Sequence, residues 1–178
     1  MTRLKKLMMN CLVINIISGC MYYFGGYYLS KERCIEDTLK SCYATPQEKL
    51  IEYENNRCVV TLFQNKENDT HSILETNKRG MFYYPGSGVV DSPKWKSEPF
   101  WFSYLHGDGL GIVVYFYRNN PEIETIEMVL ENGDQFVFSD WKEDFASCLI
   151  DEEIDFKYVG TFCKAYDASG NLIHELDL

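Results

Sequence analysis

The segment at positions 106–111, His-Gly-Asp-Gly-Leu-Gly, has the residue types of an acid–base or anion-binding site. A histidine beside an aspartate can exchange protons with a substrate, and glycines let backbone amides approach an anion. However, a phosphate-binding loop must be followed by a helix, and here an apolar, strand-like run follows. We therefore predict a hairpin turn with His106 and Asp108 facing water. A carbohydrate- or lipid-handling enzyme or binder that uses this loop is the alternative.

Metal-binding and nucleophile motifs are absent from the sequence. There is no C-x₂-C pair, and the three histidines have no ligand-like spacing to one another or to the cysteines. The turn at 167–171 looks faintly like a calcium loop, but Leu178 stands where the bidentate glutamate would be required. No G-x-S-x-G element is present. The sequence therefore predicts no metal and no cofactor, and it favours a protein that is not an enzyme.

The beginning of the chain has the layout of an export signal. Three basic residues among the first six precede an uncharged run at 7–30, whose part at 7–16 has the length of a signal-peptide centre. The run reaches Ile-Ser-Gly-Cys at 17–20, an aliphatic residue and two small residues before a cysteine. This segment resembles the lipobox of bacterial lipoprotein precursors.

The resemblance implies a specific mode of attachment. Cys20 would receive a diacylglyceryl group, cleavage would follow Gly19, and the new amino group would be open to further acylation with chains such as palmitate. Two or three acyl chains hold a protein stably at a membrane. The protein would then lie in the cell envelope, facing the periplasm or the exterior. Met21 is not aspartate, which implies the inner leaflet of the outer membrane in a Gram-negative host.

An uncleaved signal anchor is the alternative, and plain secretion is a third possibility. The stretch at 7–29 contains 23 uncharged residues, enough to span a bilayer. Four tyrosines near its end could form an aromatic belt at the interface. We predict a signal peptide at 1–19, a lipid-anchored tether at 20–29 and a single exported domain at 30–178.

The exported part contains five cysteines, an odd number. Disulfides are expected outside the cytoplasm, so one thiol would stay free or pair with another chain. We predict one bridge among the first three of these residues and a second that joins the last two. In chain order the five are Cys34, Cys42, Cys58, Cys148 and Cys163.

The charge of the chain is strongly acidic. The net charge is −10, and removal of residues 1–19 with their three basic side chains leaves 14 − 27 = −13. Such a domain repels nucleic acid and anionic lipid headgroups, whereas a cationic protein is attracted to it. We therefore predict a non-enzymatic envelope protein that binds a basic partner in an inhibitor, immunity or assembly role. Acidity that serves only solubility, in an envelope spacer, is the structural alternative.

The hydrophobic pattern predicts a mainly β fold of the α+β class. We expect an antiparallel meander or sandwich of about seven to nine strands, among them strands at 58–63 and 112–117, with two short N-terminal helices at 30–40 and 45–55. A capping-box pattern at 140–143 predicts a third short helix near 140–147, and the segment at 78–98 is expected to be a long loop with one short strand at 81–84.

Two finer features are expected of this fold. A three-residue turn at Asn132-Gly133-Asp134 would place Leu130 opposite Phe136 on a buried face. Aromatic residues of strand 100–105 and of the preceding loop could form an exposed binding surface, or the loop could cover them. The candidates for this surface are Tyr83, Tyr84, Trp95 and Trp101.

Overall fold

The computed structural model describes residues 3–42, 48–67, 70–91, 97–130, 132–150 and 162–177. Within these ranges the protein is mainly β, with two helices and eleven strands that pair antiparallel. The elements are α1 (Arg3–Gly25), α2 (Lys31–Cys42), β1 (Glu48–Glu54), β2 (Cys58–Asn65), β3 (Thr70–Arg79), β4 (Phe82–Asp91), β5 (Phe100–Gly107), β6 (Gly111–Arg118), β7 (Thr125–Val129), β8 (Gln135–Phe138), β9 (Phe145–Ile150), β10 (Phe162–Tyr166) and β11 (Leu172–Asp177).

The strands form three stacked sheets. Sheet A has the order β1-β2-β3-β4, sheet B the order β5-β6-β9, and sheet C the order β11-β10-β7-β8. Sheet A comes from one continuous stretch of chain, whereas β9 of sheet B lies in sequence between β8 and β10 of sheet C. The predicted β class and sandwich-like packing are confirmed. The protein has three layers where a sandwich has two, and eleven strands where at most nine were predicted.

Sheet B is the middle layer because strand β6 is apolar on both faces. Its even-numbered residues Val114 and Phe116 pack against sheet C, and its odd-numbered residues Val113 and Tyr115 pack against sheet A. Alternate side chains of a strand point to opposite faces, so a strand whose two faces are both apolar must be covered by other elements on both sides. Helix α2 covers part of the outer face of sheet A through Ile35.

The helix predicted at 45–55 is wrong. Residues 48–54 form β1, which pairs with β2 along its length with one bulge near Lys49, and residues 45–47 lie outside the described ranges. Leu50 is buried between sheets A and B, and the Tyr53 hydroxyl lies 2.9 Å from Ser147 Oγ of β9. A helix cap contributes only about 1 kcal/mol. Ladder hydrogen bonds and burial of Leu50 outweigh it.

The helix predicted near 140–147 is also wrong. The chain makes a tight turn between Lys142 and Phe145, which exchange two backbone hydrogen bonds of 2.7 and 3.1 Å. Glu143 has a φ of 58°, which a right-handed helix does not allow. Phe145 then begins β9 and is fully buried against sheet A. Together with β1, this strand accounts for the two additional strands.

The long loop predicted at 78–98 is largely a hairpin. Strands β3 and β4 meet at a tight turn in which Gly80 has a φ of 62°, so the predicted strand at 81–84 extends to Asp91. Residues 92–96 lie outside the described ranges. Pro85 is compatible with a strand here because β4 is the edge strand of sheet A.

The hairpin between β7 and β8 has the predicted buried face but a different register. Met128 pairs with Phe136, whereas Leu130 was predicted to do so, because the turn is centred one residue earlier than predicted and Leu130 N donates a backbone hydrogen bond of 2.9 Å to Asp134 O. A shift of two residues leaves every side chain on the same face. Met128, Leu130 and Phe138 are therefore buried as predicted, and Phe136 packs against them.

Candidate functional site

Helix α1 is exposed along its apolar span. The span Arg3–Tyr22 has 20 residues, a mean hydropathy of 1.3 and no part buried in the protein. At a rise of about 1.5 Å per residue it is about 30 Å long, which matches the hydrocarbon core of a bilayer. Among the described residues, it is the helix that is long and apolar enough to act as a membrane anchor or signal segment. Cys20 is exposed, and the Gly19–Cys20 bond lies within the helix.

The chain that follows α1 docks onto the domain. Gly26 has a φ of 62°, typical of the glycine that ends a helix. Tyr28 and Tyr83 of β4 then exchange two backbone hydrogen bonds, of 2.7 and 2.8 Å. Residues 27 and 28 of the predicted tether are thus fixed to the edge of sheet A.

Aromatic rings reinforce this attachment. The Tyr27 ring lies 5.3 Å from the ring of Tyr84 and 6.3 Å from that of Phe82, and the rings of Tyr22 and Tyr28 are 5.4 Å apart. Such ring pairs add about 0.5–1.5 kcal/mol each beyond their buried area. We call this contact the aromatic junction; its members are Tyr22, Tyr27, Tyr28, Phe82, Tyr83 and Tyr84.

A cavity of about 430 Å³ lies beside the aromatic junction. It is lined by the last turns of α1, including Gly19, and by Arg33 at the start of α2. Burial, with the Asp37 carboxylate nearby, raises the pKa of the Tyr28 phenol, so this phenol is protonated at neutral pH. The junction therefore combines an apolar concavity with one basic side chain close to the end of the span.

The predicted aromatic binding surface divides into three parts. Tyr83 and Tyr84 are half-buried and belong to the aromatic junction, while Trp95 lies outside the described ranges. Trp101 is only 4% exposed, because its side chain lies between sheets A and B against Tyr115. The prediction is wrong for Trp101. A central sheet B leaves no open face on β5 at this position.

The loop at 106–111 is the predicted hairpin turn, and this interpretation is confirmed. Gly107 pairs with Gly111 at the ends of β5 and β6, and His106 is exposed. The Asp108 carboxylate lies 3.8 Å from Arg57 Nη1. The carbonyl of Asp108 accepts hydrogen bonds from Asn55 Nδ2 and Cys58 Sγ, at 3.3 and 3.5 Å. Asp108 is thus engaged in holding the turn against β2 and the residues before it.

A buried carboxylate ties this turn to sheet A. Glu75 is 8% exposed, and its Oε2 accepts hydrogen bonds from Ser87 N and Ser87 Oγ at 3.1 and 2.8 Å. Its Oε1 accepts a hydrogen bond of 3.1 Å from Asp108 N. One side chain therefore joins β3, the irregular part of β4 and the turn between β5 and β6. We call this arrangement the Glu75 clamp.

The cysteines of the domain are mostly buried. Burial raises the pKa of Cys34 and of Cys148 to about 11 and that of Cys163 to about 12, so these thiols are protonated and slow to react. All three are free thiols in this structure, so the bridge predicted between Cys148 and Cys163 is not formed in it. The disulfides stay a prediction for the exported protein. The Cys42 side chain lies outside the described part of the chain.

The outer face of sheet C is open to solvent. Alternate residues of β7 and β10 point into the core, so Glu127, Lys164 and Tyr166 lie on the other face. Val137 of β8, on the same face, is 62% exposed. Sequence periodicity could have indicated this open face in β7 and β10. It could not indicate that sheet C is an outermost layer.

An acidic cleft of about 630 Å³ lies at one end of this face, and Glu124, Glu127, Tyr166 and Asp167 are among its lining residues. The Tyr166 hydroxyl donates a hydrogen bond of 3.0 Å to Glu127 Oε2, and burial together with this bond raises the pKa of Tyr166. Hydrogen bonds from the Asn171 side chain and backbone hold the pKa of Asp167 below its usual range. The cleft thus presents three carboxyl groups, those of Glu124, Glu127 and Asp167, around one tyrosine ring.

Metal binding finds no support in the part of the chain that the structure describes, where no group of three His, Cys, Asp or Glu side chains could hold an ion. The acidic cleft suits an organic cation such as a lysine or arginine side chain instead. No family model, curated protein or solved structure matches this chain. Its function has to be inferred from its own surfaces.

Proposed function

We propose that this is a membrane-anchored protein of the cell envelope whose acidic β-domain binds a basic protein. The observation that carries the proposal is the exposure of the whole apolar span of α1, directly before a domain of the opposite character. An apolar helix without cover in the protein requires another apolar environment. The three basic residues among the first six favour a cytoplasmic location for its beginning.

Two forms of attachment are compatible with this proposal. In the lipoprotein form, acyl chains on Cys20 would replace the span, because cleavage after Gly19 removes most of α1. In the signal-anchor form, α1 itself would cross the bilayer with its backbone hydrogen bonds satisfied internally. The helical Gly19–Cys20 bond suits a spanning helix, whereas cleavage would require local unwinding. Both forms lead to the same aromatic junction on the domain.

The outer face of sheet C is the surface best suited to the partner. Its cleft combines carboxylates with Tyr166, and tyrosine is enriched among the residues that dominate protein interfaces. Sheet B separates this face from sheet A, to which the anchor is attached. A partner would therefore approach from the side away from the attachment point.

Intact mass spectrometry of the protein purified from its own membranes tests the attachment. We expect the protein to remain in the membrane after alkaline carbonate washing, because an apolar span or two acyl chains withstand the loss of ionic contacts. A mass that begins at Cys20 with added acyl chains identifies the lipoprotein form, and a mass that includes Met1 identifies the signal anchor. Recovery of the intact chain from the cytosol would contradict the proposal.

Charge reversal in the cleft tests the partner surface. The double variant Glu124→Lys/Glu127→Lys should lose a basic envelope protein that the unaltered chain retains in a detergent-solubilised pull-down, because like charges at a contact oppose binding. Glu32→Lys/Glu36→Lys on α2 makes the same charge change elsewhere and should retain the partner. If both variants bind equally, the cleft is not the contact.

A further inference from the structure

We infer that the hairpin between β3 and β4 is a second membrane-binding element that enters the headgroup layer of an anionic phospholipid bilayer. This inference rests on the proposed membrane attachment. It adds to that attachment a contact made by the folded domain itself. The hairpin is the one at residues 76–90, with its tip at Gly80 and Met81.

The position of the hairpin follows from the aromatic junction. The backbone pair between Tyr28 and Tyr83 leaves only five residues between Tyr28 and Tyr22, where the apolar span ends. The six steps along the chain from Tyr22 to Tyr28 reach at most about 22 Å even when fully extended. Tyr83 is two residues from Met81, so the tip is held close to the plane in which the anchor meets the membrane surface.

The tip has the apolar residues that an interfacial contact needs. Met81 is 66% exposed and Leu29, beside the paired Tyr28, is 62% exposed. Phe82 and Tyr84 are half-buried against Tyr27. Tyrosines are typical of membrane interfaces, where the ring lies among apolar groups and the hydroxyl reaches water. This surface is continuous with the proposed anchor.

The charge near the tip of the hairpin is opposite to that of the protein. From position 76 to position 90 the chain has two basic residues, Lys78 and Arg79, and no acidic one, although the whole chain has 27 acidic and 17 basic residues. The two acidic residues of these strands lie elsewhere: Glu75 is buried in the clamp, and Asp91 is at the end of β4 away from the tip. Lys78 Nζ lies 5.7 Å from the centre of the Tyr83 ring. Arg33 also lines the cavity at the junction, but the Asp37 carboxylate lies near Tyr28 as well, so the positive charge of this surface comes from the hairpin. Phosphate headgroups attract such a cluster.

The acidic charge elsewhere in the domain favours the same orientation at the membrane. An anionic surface repels the acidic cleft of sheet C and attracts the basic hairpin. Attachment at Tyr28 alone would fix one point, and the hairpin supplies a second. Two points restrict the tilt of the domain, so that the end of sheet A with the hairpin tip points toward the membrane.

Photo-crosslinking to lipid tests this inference in the full chain. A photoreactive amino acid would replace Met81 in one protein and Val137, which is similarly exposed on sheet C, in a second. Both proteins would be reconstituted into liposomes with about one third anionic lipid, where charge attraction operates. We expect crosslinks to lipid at position 81 that exceed those at position 137 at least fivefold.

The charge contribution is tested by Lys78→Glu/Arg79→Glu, with Lys40→Glu on α2 as control. The double variant should lower the crosslinking at position 81 severalfold, as should liposomes of neutral lipid alone, while the control should leave it unchanged. Flotation of the liposomes after a carbonate wash measures attachment separately. Failure to float overturns the proposed attachment. Floating protein that crosslinks equally at positions 81 and 137, or is indifferent to the double variant, overturns the inference alone.

Discussion

Replacement of Phe116 by alanine is expected to lower the free energy of unfolding by about 3–5 kcal/mol. Phe116 is fully buried in the middle strand of the middle sheet. Its ring lies 4.5 Å from that of Phe138 in sheet C and 5.6 Å from that of Phe102 in the neighbouring strand. Truncation would leave a cavity that rigid neighbouring strands on both sides prevent from collapsing.

Chemical denaturation of the full chain in detergent, followed by tryptophan fluorescence, measures this effect. Val137→Ala removes an apolar side chain from the exposed face of sheet C and should change the free energy of unfolding by about 0.5 kcal/mol or less. A loss for Phe116→Ala no larger than that of this control would contradict the three-layer packing. A typical domain has only about 5–15 kcal/mol in total, so the variant should unfold at a clearly lower denaturant concentration.

Replacement of Glu75 by alanine is expected to cost about 3 kcal/mol or more, because hydrogen bonds to a charged acceptor are worth about 1.5–3 kcal/mol each. The change removes the acceptor of two backbone amides and one hydroxyl at once. The part-buried hydrogen bonds donated by Ser87 and Asp108 would then lose their acceptor. Glu75→Gln keeps one acceptor oxygen and the shape of the side chain, so its loss should be smaller.

Amide hydrogen exchange distinguishes loss of the Glu75 clamp from general destabilisation. The Asp108 amide should exchange faster in Glu75→Ala by a larger factor than amides of sheet C. Glu175→Ala on β11, which removes an exposed carboxylate, should alter neither stability nor exchange at Asp108. Unchanged protection of Asp108 in Glu75→Ala would show that the clamp does not hold the turn.

Local sequence patterns correctly predicted the elements whose secondary structure does not depend on contacts with other parts of the fold. The strands at 58–63 and 112–117 and the turn at 106–111 are where the sequence predicts them, because β-branched and aromatic runs between glycines leave few alternatives. The buried face of the β7–β8 hairpin was predicted as well, because it depends only on the alternation of apolar and polar residues along the two strands. Its register depends on which residue lies at the centre of the turn, and the sequence pattern does not show that.

Tertiary contacts decided the remaining elements. Helix-start signals precede the segments at 48–54 and 145–150. Each segment nevertheless forms a strand, because it pairs with a buried strand, β2 or β6 respectively. The continuous apolar run of β6 indicated a strand covered on both faces, and a third layer could have been inferred from it. The Glu75 clamp and the cleft on sheet C could not be inferred, because they join residues that are far apart in sequence.

The route of the chain through the three layers has a consequence for biogenesis. Sheet A consists of four consecutive strands that follow α1 and α2, whereas sheets B and C share an interleaved stretch of chain. A polypeptide that emerges from its N-terminal side would complete sheet A while the later strands are still to be made. Long-range pairing is slow, so the final layers would close only after the C-terminal strands emerge. Until then, the inner apolar face of the first sheet would stay exposed to aggregation with other chains.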